Sequence, residues 1–120
     1  MLADYVAEWS FERWQQERKS EERAVDSLEK HYEKIIERDG EEAIPKWRNE
    51  WQKRYDDAIE HLMVMSLACQ KIHNNDGCKI GSNIWNWGKL GTRSAKFKAE
   101  FLNEINGYLR KAYSHRKRDL

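Results

Sequence analysis

The sequence predicts an all-α protein: an antiparallel helical hairpin of two long helices, closed by a third, C-terminal helix. Three observations carry this expectation. Pro occurs once in 120 residues, and residues 2–39 contain neither Gly nor Pro, the two residue types least compatible with a helix interior. Apolar positions recur at spacings of three and four, which marks one helical face. Four of the six Gly fall between residues 77 and 91, so a Gly/Trp-rich loop separates the second helix from the third.

The first helix buries Phe11, Trp14, Val25, Leu28, Tyr32 and Ile35. Gln15–Arg23 interrupts this face with no apolar side chain. Either one helix runs through solvent there or Ser20 caps a second, collinear one. Asp39-Gly40 ends it, because Gly adopts the left-handed conformation cheaply. The second helix starts near Pro45, where a missing N–H costs nothing. It continues through Ile44, Trp47, Trp51, Ala58, Leu62, Met65, Cys69 and Ile72. Leu62–Cys69 is apolar nearly all round, so this stretch is expected at the centre of the core. Asn74–Gly77 stops it. The loop that follows, around Ile84-Trp85-Asn86-Trp87, reads as ordered or as a short hairpin. The third helix begins near Thr92 or Ser94, both good caps, and is expected to bury Phe97, Phe101, Ile105, Tyr108 and Ala112, with Leu102 and Leu109 beside them.

Composition supports one folded domain over residues 1–120. Charged residues make up 36% and mean hydropathy is −1.04. Leu, Ile, Val and Phe together number only 22. Six Trp and five Tyr supply the missing apolar area, and the net charge of +1 does not favour disorder. No apolar run approaches the ~18 residues of a membrane span, so no membrane partner is expected. Met1–Tyr5 has no basic stretch leading into an apolar one, and two Cys make no disulfide scaffold. The expectation is therefore a reduced, cytoplasmic protein.

The charges divide unevenly. Residues 1–76 carry −6, from 12 Lys/Arg against 18 Asp/Glu, and residues 77–120 carry +7, from 10 against 3. An acidic hairpin is thus followed by a basic loop and helix. Lys89, Arg93, Lys96 and Lys98 surround the loop, and Arg110, Lys111, Arg116, Lys117 and Arg118 lie toward the chain end. Such clusters attract phosphate through counterion release, and exposed Trp rings stack on unpaired bases. The competing reading is that Trp85 and Trp87 cap the core while the basic tail pairs with the acidic helices. Known phosphate loops do not match. A Walker A loop needs Gly where Asn83 stands, and Gly88-Lys89-Leu90-Gly91 has the GxxG form of a KH loop without the strands of a KH domain.

Metal and catalytic readings are weaker. Cys69 and His73 are one helical turn apart and Cys78 could fold back toward them, but the spacing fits no common zinc module. A free Cys69 in the most apolar segment reads as a small core side chain. Glu29, Glu33 and Glu37, interleaved with Lys30, Lys34 and Arg38, read as salt-bridge stripes on a solvated face. No Glu-x-x-His pair or Gly-x-Ser-x-Gly elbow occurs. Neither an enzyme nor a cofactor or metal is expected.

The tryptophans remain. Trp47 and Trp51 are one turn apart, and Trp85 and Trp87 sit in the loop; all four are candidate anchors for a partner, since Trp dominates binding hot spots. The bland alternative is an aromatic mini-core, and a homodimer would use the same rings. The expected function is a small non-enzymatic protein that docks on a protein or nucleoprotein to regulate or inhibit it, as an accessory protein of a phage or mobile element would. The alternative is direct DNA or RNA binding through the basic loop and C-terminal helix.

Overall fold

Helix formation follows the expected start and stop signals. The computed structural model describes residues 6, 8–73, 78, 84 and 87–118; for residues 113 and 115–118 it describes the helical backbone only. Three long helices are present, and there is no strand among the described residues. Helix α1 spans Phe11–Asp39 without a break, so the polar stretch Gln15–Arg23 is one continuous helix and Ser20 caps nothing. Ser10 caps it instead, its Oγ accepting from the Arg13 amide at 3.2 Å. Gly40, with φ of 80°, closes its other end by donating to the Ile36 carbonyl at 2.7 Å. One 3₁₀ turn, Glu41–Ala43, leads directly into helix α2, Ile44–His73. Helix α3 spans Ala95–Arg118; the Ser94 hydroxyl accepts from the Phe97 amide at 3.2 Å and caps its start.

Cross-helix contacts show that α1 and α2 run antiparallel. Trp14 Nε1 donates to the Met65 carbonyl, while Tyr32 packs edge-on against Trp47 with ring centroids 5.0 Å apart. The core sits where the pattern of α2 places it. Leu62, Met63, Val64, Met65, Ser66, Ala68 and Cys69 are all buried. Trp14 and Val25 reach this core from α1, and Ile105 and Leu109 reach it from α3. No helix of the described residues is long and apolar enough to cross a membrane.

Two expectations need correction. Cys69 is not a free thiol: it forms a disulfide with Cys78, the Cα atoms 5.4 Å apart, within the usual range. Both sulfurs are therefore unavailable as metal ligands, and His73 is engaged elsewhere, its Nε2 lying 3.2 Å from the Trp9 carbonyl and its ring 5.9 Å from that of Phe11. Ser66 Oγ reinforces the bridge by donating to the Cys78 carbonyl at 2.7 Å. The second correction concerns α3, where Phe97 and Tyr108 are 37% and 36% exposed rather than buried. Its inward stripe is Leu102, Ile105 and Leu109, and Tyr108 lies outside it.

Candidate functional site

Among the described residues, the candidate groups fall in two regions where aromatic and charged side chains meet, and these differ in what the groups touch.

The first is the loop at residues 87–94, which contains two of the candidate phosphate-binding cations, Lys89 and Arg93. Its geometry is built around Tyr55 and Asp56 of α2. The Tyr55 hydroxyl donates to Glu29 of α1 at 2.7 Å and accepts from the Leu90 amide at 3.4 Å. Gly88, at φ 66°, rests against that hydroxyl so closely that a Cβ would overlap it. Burial, helped by the bond to Glu29, pushes the Tyr55 phenol well above its ordinary range, so it stays protonated as a donor.

Asp56 is buried but fully partnered. One carboxylate oxygen accepts from Gln52 at 3.1 Å and the other from Thr92 at 3.1 Å. Gln52 also donates to the Leu90 carbonyl at 2.9 Å. Arg93 lies 3.9 Å from Asp56 and 3.3 Å from Glu60. Burial raises the Glu60 carboxyl, and Arg93 acts against that rise. Lys89 pairs with Glu33 on α1 at 2.9 Å, and Glu33 raises its pKa. Glu29 and Glu33 therefore reach across to other elements rather than forming the expected stripe along α1.

Trp87 anchors this loop from inside. It is buried, with its ring packed against the stacked pair Phe97 and Phe101, and it holds the left-handed conformation at φ 66°. A non-glycine residue keeps such a conformation only where its surroundings over-determine it. The loop is a clamp across α1 and α2, and both of its candidate cations are used within the molecule.

The second region lies at the turn of the hairpin. A cavity of about 260 Å³ opens between the end of α1 and the start of α2. Trp47 is buried against it, its Nε1 donating to His31 Nδ1 at 3.0 Å. Because indole is only a donor, Nδ1 must accept and the neutral ring carries its proton on Nε2. Trp51, one turn on, packs edge-on to His31 with centroids 5.4 Å apart and is 39% exposed. The exposed Arg38, Asp39, Lys46 and Glu50 also line the opening. The Arg38 guanidinium bonds Asp39 at 2.9 Å and holds its carboxyl below the usual range. Two cations and two anions leave this mouth without net charge.

No protein-family model, curated protein or solved structure matches this chain.

Of the four candidate anchors, Trp47 and Trp87 are core residues, Trp51 is a surface ring, and Trp85 lies outside the described residues. Among the candidate cations beyond the loop, Lys96, Arg110 and Lys111 are exposed on α3 and Lys98 is half-buried. The side chains of Arg116, Lys117 and Arg118 lie outside the described residues. Sequence reasoning missed His31, Tyr55 and Asp56. A visible trace of the last two is a Tyr-Asp pair two turns before the apolar centre of α2.

Proposed function

We propose that this chain is a non-enzymatic binding protein that docks on a partner protein through the hairpin-turn pocket, and so regulates or blocks that partner. The observation that carries this reading is Trp51: a large ring kept 39% exposed beside an open cavity, on a floor stiffened by the Trp47–His31 bond. Large aromatic side chains at an opening are the groups that gain most when a partner covers them. The balanced charge of the mouth suits a protein surface better than a polyphosphate. Direct nucleic-acid binding is disfavoured because Lys89 and Arg93 already pair with Glu33, Asp56 and Glu60. A cytoplasmic setting belongs to the same proposal, on condition that the Cys69–Cys78 bridge persists in a reducing compartment.

The test is a cross-linking capture with wild-type and Trp51→Ala baits in parallel, with and without nuclease. The expected result is a protein captured by the wild type, resistant to nuclease, and lost with Trp51→Ala while the helical circular-dichroism signal is unchanged. Identical capture by both baits, or capture that nuclease abolishes, would overturn the proposal.

A further inference from the structure

The outer face of α3 carries a self-complementary pattern that no other described residue uses. Glu104, Gly107 and Lys111 follow a three-and-four spacing and so share one stripe, with Tyr108 beside it. This stripe lies away from the inward Ile105 and Leu109. A second cavity of about 270 Å³ is lined by Asn103, Glu104, Gly107, Tyr108 and Lys111, all exposed. Gly107 stands in mid-helix, and apart from its own helix backbone and chain neighbours no atom of the described residues lies within 4 Å of where its Cβ would be. Glycine is the weakest helix former after proline, and no neighbour among the described residues needs the space it leaves. Glu104 has no cation three or four residues away, and Lys111 has no anion. Neither forms an ion pair among the described residues.

We propose that this face binds a second copy of the chain, the two α3 helices crossing antiparallel with the two-fold axis between residues 107 and 108. In that register the Tyr108 ring of each copy covers the second copy's Gly107, and Glu104 of each meets the second copy's Lys111. The absent Cβ lets the helices approach, as small residues do at close helix crossings. The charges are complementary only in the antiparallel sense, because a parallel pair would set Glu104 against Glu104 and Lys111 against Lys111. A two-fold interface must be self-complementary in this way. The surface is separate from the hairpin-turn pocket, so either proposal can fail without the other.

Sedimentation equilibrium on the full chain, up to about 0.5 mM because a small interface associates weakly, tests this. The wild type should dimerise. Glu104→Lys and Lys111→Glu should each weaken self-association by about tenfold or more, through two like-charge contacts per dimer. Mixing the two variants should restore a dimer containing one copy of each, because both contacts then become opposite-charge pairs. Gly107→Gln should melt no earlier than wild type yet lose the dimer. A wild type that stays monomeric over this range overturns the proposal, as does a dimer indifferent to the two reversals.

Discussion

The clamp loop and the hairpin turn look alike in sequence, since each sets two tryptophans a short distance from several charges. They differ in where the polar groups find partners. In the loop, Lys89 pairs with a residue 56 positions away and Leu90 bonds to Gln52 and Tyr55, 38 and 35 positions away. At the turn the charged pair is Arg38–Asp39, adjacent in the chain and exposed, and Trp51 remains open. Long-range partners make the first region part of the fold. In the second, Trp47 is tied across the hairpin to His31, but among the described residues the charges at the mouth form no ion pair across elements, which leaves a surface that another molecule can complete. A basic cluster beside tryptophans is therefore no evidence of a ligand until its counter-charges have been located.

That contrast can be broken by substitution. The largest effect is expected at Gly88→Ala, where the added methyl group meets the Tyr55 hydroxyl and a left-handed backbone disfavours any side chain. Urea unfolding should show a loss of about 3 kcal/mol from combined overpacking and strain. Asp56→Ala should come next, at about 2 kcal/mol, because it removes the buried acceptor that Gln52, Thr92 and Arg93 share. A near-neutral outcome for either variant would mean the loop does not grip α2.

Tyr55→Phe sharpens the comparison through pH and costs about 1 kcal/mol at neutral pH. The folded phenol is raised above its unfolded value of about 10. Above that pH the unfolded chain loses a proton the folded chain keeps, so stability from this group is full below about pH 10 and falls as pH climbs further. The wild type should lose stability more steeply than Tyr55→Phe on alkaline titration, and equal slopes would contradict the buried hydroxyl. The smallest effect is expected at Trp51→Ala, within about 0.5 kcal/mol. A loss as large as that of Asp56→Ala would place Trp51 in the core.

Much of the fold was legible because helices announce themselves locally. The Ser94 cap, the stop at Gly40 and the apolar centre at Leu62–Cys69 all depend on spacings of a few residues. Burial of a particular tryptophan does not. Trp47 and Trp51 occupy one face by periodicity, yet a single turn separates the hidden ring from the open one, because Tyr32 covers Trp47. The Cys69–Cys78 bridge was missed because it depends on how the chain returns after α2. Pairing with the acidic helices was expected of the basic tail, not of Lys89 and Arg93, whose partners Glu33, Asp56 and Glu60 are selected only by the packing of the loop on α1 and α2.

The most direct test of the contrast is fluorine NMR on protein labelled with 5-fluorotryptophan, assigned with Trp51→Phe and Trp87→Phe. The account predicts a marked solvent isotope shift between H₂O and D₂O for Trp51 and almost none for Trp87 or Trp47. A Trp87 signal as responsive to solvent as that of Trp51 would contradict it, because the loop would then be open rather than clamped.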